Sequence, residues 1–189
     1  SAADKLSSAE KLAFKSAQHN IKTEGLCATP ISLLSPPMQE EIIRHYFARK
    51  SYRQFIKQKI SYVSLRACLE AASSWCEPKP KNTDNFLDRL SFVLTGLRSY
   101  KNEHTILPKY HYPSAGSLYP VQVYIEHYYY NPSMHTLTAI DNRQDHISLH
   151  SFIDLQLHFV SALEAITPLY EEYSMAFCEL EVGYMIALI

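Results

Sequence analysis

PVQVYIEHYYYNPSMHTLTAI, Pro120 to Ile140, alternates apolar and polar residues where the rest of the chain does not. Val121, Val123 and Ile125 fall on one side of an extended chain. Gln122, Tyr124 and Glu126 fall on the other, because successive strand side chains point to opposite faces. The tyrosine-rich run that follows reads as two more strands turned around Asn131-Pro132, a pair that favours a turn. Strands joined this closely pair antiparallel, as a meander.

Helical patterns flank this meander. Upstream, Ser7 and Glu10 have the spacing of a capping box, which predicts a short helix to about Gln18. From Asn20 to Leu34 the chain reads as irregular and extended. Ser35-Pro36 opens an amphipathic helix through MQEEIIRHYFAR. Ser61 caps another through LRACLEAAS. CEPKPKNTDN is a charged, proline-containing linker. Asn82 or Thr83 then caps a helix whose Phe86, Leu87, Leu90, Val93, Leu94 and Leu97 keep the 3.6 period. Downstream, a helix is expected from about Phe152 to Ala165, closed by Thr167-Pro168. MAFCELEVGYMIALI is apolar on nearly every face and reads as a buried helix, with Cys178, Val182, Met185 and Ile186 as its core stripe. Helices, then a meander, then helices again give an α+β fold, a central antiparallel sheet packed by helices. The organisation expected is an entry helix and extended arm over 1–34 and one domain over 35–189.

Composition narrows the function classes. The 189 residues are 47% hydrophobic and 20% charged, an ordinary globular balance. A net charge of -1 gives no electrostatic case for nucleic acid or an anionic membrane. No apolar run is long enough to span a bilayer. Cys27, Cys68, Cys76 and Cys178 show no C-x-x-C spacing and read as thiols of a reducing cytosol.

Only 4 glycines occur, and one lies in Pro113-Ser114-Ala115-Gly116-Ser117, at the mouth of the first strand. Without bulky side chains at Ala115 and Gly116, backbone N–H groups can approach a planar or anionic ligand. A plain strand-entry turn explains the same residues. Lys109 and Tyr110, just upstream, are usable as acid or base. Arg49, Ser51 and Arg53 share one face of an extended segment and make a fork for a phosphate, or are two surface arginines after a helix. His146 and His150 have helical metal-ligand spacing but lie in an alternating segment with no third ligand, so no metal is expected. Lys57 and Lys59 read as a solvated face.

Arg49-x-Ser51-x-Arg53, then KYHYPSAGSLYPVQVY, then YYYNP followed by His135 and Leu137, resemble the nitroreductase superfamily. The nearest branch is the SagB-type or azoline-oxidase one. SAEKLAFKSAQHNI and AITPLYEEYSMAFCELEVGYM make the chain most similar to the oxidase domains built into non-ribosomal peptide synthetases. The resemblance implies an α+β, nitroreductase-like fold that binds FMN between two protomers or halves. It implies Arg49, Ser51 and Arg53 at the phosphate, and Pro113, Ser114, Ala115 and Gly116 against the isoalloxazine ring. Lys109 and Tyr110 match a Lys-Tyr pair thought to act in azoline oxidases. The implied reaction is a two-electron oxidation of an aminoacyl, thiazoline or oxazoline group tethered to a carrier protein. The implied partners are neighbouring synthetase domains and a second copy of the chain, in the cytoplasm. The family continues past the last helix with a segment that adds flavin and dimer contacts, so the resemblance implies a missing C-terminal part. It also carries a glycine-containing hairpin where this chain has only Glu126-His127. Two other readings stand beside it: an NAD(P)H-dependent nitro- or quinone-reductase, and a flavin fold kept only for docking.

Overall fold

A computed structural model describes residues 5–17, 20–34, 85–101, 103, 105–140 and 155–189, with the single positions 44, 47, 48 and 63. The helices expected after Ser35-Pro36 and after Ser61 lie outside the described residues, those single positions apart. So do most of the linker before Asn85, Cys68 and Cys76, Lys57 and Lys59, and His146 and His150.

The meander forms as its alternation demands. Strands β4 (Val121–Ile125), β5 (Tyr128–Asn131) and β6 (Thr136–Ala139) pair antiparallel in succession, with Val123 opposite Tyr130 and Tyr129 opposite Thr138. Val121, Val123 and Ile125 are buried; Gln122 and Tyr124 are half-exposed. Glu126-His127 close a two-residue hairpin, with Glu126 at φ 53, the left-handed backbone such turns need. Glu126 also holds the next neighbour. Its N–H donates to Gln156 O at 3.1 Å, and its Oε1 accepts from Gln156 N at 2.6 Å. At the second turn Asn131 Oδ1 accepts from the N–H groups of Ser133 and Met134, at 3.0 and 3.1 Å. That is the turn chemistry expected of Asn-Pro.

Two further strands complete the sheet. β1 (Ile31–Ser32), from the extended N-terminal arm, pairs with β6, and β7 (Leu157–Ser161) pairs with β4. The order is β1-β6-β5-β4-β7, antiparallel throughout, so β4 is interior and bonded on both sides. β7 corrects the helix expected from Phe152 to Ala165. The physical reason is the free edge of β4, which takes up Leu157, Phe159 and Ser161 opposite Ile125, Val123 and Val121. A short 3-10 turn at Leu163–Ala165 is the helical remnant. Thr167-Pro168 opens a helical turn here; it does not close one.

Helix α1 (Ser8–Ser16) carries the capping box in full. Ser7 Oγ accepts from Glu10 N at 3.3 Å, and Glu10 Oε2 accepts from Ser7 N at 2.8 Å. Helix α2 (Phe86–Thr95) is capped by Asn85, nearer the helix than the residues expected, through Leu87 N–H to Oδ1 at 3.0 Å. Phe86, Leu90 and Leu94 bury its apolar face, and Leu97 continues the stripe beyond its last residue. A small antiparallel pair follows, β2 (Ser99–Tyr100) with β3 (Lys109–Tyr110). The last helices are α3 (Thr167–Tyr170) and α4 (Ser174–Ile186). Gly96, past the end of α2, lets Leu188 come close; a Cβ there would lie 2.8 Å from Leu188 O.

The final helix differs from expectation on one point. α4 buries a single stripe, Ser174, Cys178, Glu181 and Met185, at i, i+4, i+7 and i+11. Val182 is half-buried, and Leu180 and Ile186 are 58% and 55% exposed. The apolar residues therefore ring the helix, but the sheet covers only one side of them. No helix among the described residues is long and apolar enough to cross a membrane.

Candidate functional site

The loop before β4 is shaped by backbone that L-residues rarely adopt. Gly116, Ser117 and Tyr119 stand at φ 62, 58 and 52. Only the glycine does so without steric cost. Tyr119 N–H donates to Ser114 Oγ at 2.8 Å, which folds the loop back on itself. Ser114 is thereby turned inward. Pro113, Ser114, Ala115 and Gly116 are all half-buried, and Ala115 packs against the core.

Two side chains from the C-terminal segment meet this loop. A Cβ on residue 116 would lie 2.8 Å from Tyr170 Oη and 3.3 Å from Tyr170 Cε2. The space that the glycine leaves is thus taken by the hydroxyl end of a tyrosine, whose ring is set edge-on to Phe177 at 4.9 Å. Glu181, 2% exposed, reaches the same loop from α4. Its Oε1 accepts from Val121 N at 3.2 Å, and its buried Oε2 makes no hydrogen bond of ordinary geometry among the described residues. Burial pushes the carboxyl up to about 7, opposed by the Ser114 hydroxyl and the Val121 N–H. The opening of β4 is therefore held by an acid that is about half protonated at neutral pH.

Lys109 and Tyr110 are brought to this region by β3, but strand alternation sends them opposite ways. Lys109 is half-buried; Tyr110 is 1% exposed. The Tyr110 ring stacks on Tyr119 at 3.9 Å and meets Tyr112 edge-on at 5.3 Å. Its hydroxyl accepts from Asn20 Nδ2 at 3.2 Å. Burial pushes this phenol well above its usual range, with smaller opposing effects from Ser99 and Asn20. As placed, Tyr110 is a core residue beside the loop, and Lys109 is the one of the pair that faces outward. Arg49, Ser51 and Arg53 lie outside the described residues.

A second buried polar cluster lies between α2 and the β5–β6 turn. His135 Nδ1 faces Tyr130 Oη at 2.9 Å, and His135 Nε2 faces Ser91 Oγ at 3.0 Å. Tyr130 also donates to Leu94 O, and Ser91 to Leu34 O. Burial, with Arg98 adding to it, lowers the imidazole to about 4. A neutral ring cannot donate through both nitrogens. One hydroxyl must therefore turn its proton to the ring and release its carbonyl. This cluster ties sheet to helix.

The space enclosed near the loop is small. It holds about 10 Å³, room for roughly one water molecule, and is lined by Asn20, Tyr110, Tyr112, Gln122, Tyr129 and Met185, among others. That is far below the roughly 300–1,000 Å³ usual for small-molecule sites. Neither Lys109 nor any of residues 113–116 lines it.

Sequence reasoning missed Tyr170 and Glu181. The first carries no local signal, because its role depends on a glycine 54 positions away. The second had one: a carboxylate at the helical spacing of Cys178 and Met185, inside an apolar run, is either unpaired or functional.

The chain is similar to two proteins that bear one name. It is 30% identical over 152 residues to indigoidine synthase of Streptomyces lavendulae, an alignment covering 75% of this chain and 12% of that protein. It is 30% identical over 154 residues to indigoidine synthase of Dickeya dadantii (strain 3937), covering 76% of this chain and 10% of that protein. The chain thus spans about a tenth of the length of the curated relatives it matches. No protein-family model matches it.

Proposed function

We propose that the chain is an FMN-dependent oxidase module of a large biosynthetic enzyme of the indigoidine-synthase kind, acting within non-ribosomal peptide synthesis. The observation that carries the reading is the Pro113–Gly116 loop, with Gly116 at φ 62 at the entry to an interior strand, in a chain 30% identical to indigoidine synthases. Its substrate is an aminoacyl, thiazoline or oxazoline group held on a carrier protein. FMN, when bound, supplies a two-electron acceptor, so that a proton and a hydride leave from neighbouring carbons of the substrate. Lys109, facing outward from β3, receives the proton. Tyr110 orients β3 from within the core. Arg49, Ser51 and Arg53 hold the phosphate.

The described residues fit an isoalloxazine ring at this loop only with Tyr170 moved off Gly116. Apolar side chains left exposed on α4, among them Leu180 and Ile186, favour a second reading, a flavin fold kept for docking to neighbouring domains or a second copy. FMN affinity separates the two. In the oxidase reading, Arg49→Ala and Arg53→Ala each weaken FMN about ten- to hundredfold, the loss of a charge-assisted hydrogen bond worth roughly 1.5–3 kcal/mol. Equilibrium dialysis of FMN against the wild-type chain and both variants reads this directly. Unchanged affinity in both removes the arginines from the site. Rapid reduction of bound flavin by NADPH would instead identify a reductase.

A further inference from the structure

We propose that Tyr170 is a gate on the planar-ligand site: it occupies the face of Gly116 and must swing away before a flat ring can lie there. The proposal rests on the reading of residues 113–116 as a ring-binding loop.

Gly116 is the one loop residue with no side chain, and its open side is where a planar ligand would approach the backbone most closely. In the structure that side is taken. The Tyr170 hydroxyl lies 2.8 Å, and two of its ring carbons 3.3 and 3.5 Å, from where a Cβ would be. The hydroxyl end of the ring stands where a flat ligand would meet the backbone, so the two compete for one surface.

Tyr170 is also placed to move. It is the last residue of the four-residue helix α3, and Glu171 follows at φ 48, ψ -123. An L-residue holds that backbone only while its surroundings hold it. The Glu171 side chain is exposed, so its backbone is held by its own hydrogen bonds, N–H to Thr167 O and O from Ser174 Oγ at 2.6 Å, and by Tyr170 packed on Gly116 and Phe177 before it. Relaxation of Glu171 to negative φ redirects the chain at Tyr170 and lifts the ring from the loop. Closed and open states are then balanced, with aromatic packing on one side and backbone strain on the other. A ligand with affinity only for the open state shifts that balance.

The test is FMN affinity, by equilibrium dialysis, of the wild-type chain, Tyr170→Ala and Glu171→Gly. Removing the ring should tighten FMN by tenfold or more, because the closed state no longer competes. Glycine at 171 tolerates positive φ and should favour the closed state, weakening FMN about fivefold. Position 171 is exposed, so this variant reports even if the alanine variant does not fold. Equal affinity in the wild type and Tyr170→Ala, or equal or tighter binding by Glu171→Gly, overturns the gate and leaves the loop reading standing. If neither the wild type nor Tyr170→Ala takes up FMN, the gate and the loop reading fall together.

Discussion

Replacing Glu181 with glutamine is expected to stabilise the chain above pH 7 and to change little below pH 4.5. Folding raises this carboxyl from 4.5 to about 7, chiefly by burying it. The native state therefore binds the proton more tightly than the unfolded chain does. Below pH 4.5 both states are protonated and the group costs nothing. Between about pH 4.5 and 7 the unfolded chain releases its proton first, so stability falls as pH rises. Above pH 7 the loss is complete, about 3 kcal/mol for a shift of this size. Glutamine keeps an oxygen for the Val121 N–H and has no proton to lose. Its amide nitrogen donates instead, so the Ser114 hydroxyl, which donates to the carboxylate, has to turn and accept. The expected gain at pH 8 is about 1–3 kcal/mol, or several degrees in Tm for a chain of this size. His135 acts in the opposite direction. Its imidazole is lowered to about 4 from 6.5, so stability is lost as pH falls through that window. Because His135 is present in both proteins, it cancels from their difference. Thermal melts of the two proteins at pH 5 and pH 8 check this. A glutamine variant less stable than wild type at pH 8 would mean that Glu181 is charged and paired there.

The second large effect concerns turnover. Lys109→Ala should slow oxidation of a carrier-bound substrate by roughly 10²–10⁴, the range for losing a positioned acid or base. It should leave the spectrum of bound flavin unchanged, because Lys109 stands on β3, outside the 113–116 loop. The two residues of the Lys-Tyr pair differ in exposure. Tyr110 is buried, stacked on Tyr119 and held by Asn20, whereas Lys109 is half-exposed. Full turnover by Lys109→Ala would move the base to another residue, from the rest of the enzyme or from a second copy.

Much of the fold is legible in the sequence because it rests on local signals. The alternation of Val121, Val123 and Ile125, the turn at Asn131 and the Ser7 capping box each fix their element within a few residues. β7 is not legible in this way. Leu157–Ser161 is a strand because β4, over 30 residues earlier, offers it an edge, and no local period records that pairing. The candidate site divides similarly. The small residues at 113–116 announce a close approach, and Gly116 does meet one. What approaches is Tyr170, which the sequence could not reveal, because any flat partner answers the same need. Glu181 was visible as a polar residue in an apolar helix, but its face depends on how α4 is turned against the sheet.

The most direct test of the flavin reading is retention of the cofactor. The purified chain, mixed with excess FMN and passed through a desalting column, should emerge with a protein-bound flavin spectrum. Heat should then release FMN from it. A colourless protein, with all the FMN left in the salt fraction, would contradict the reading.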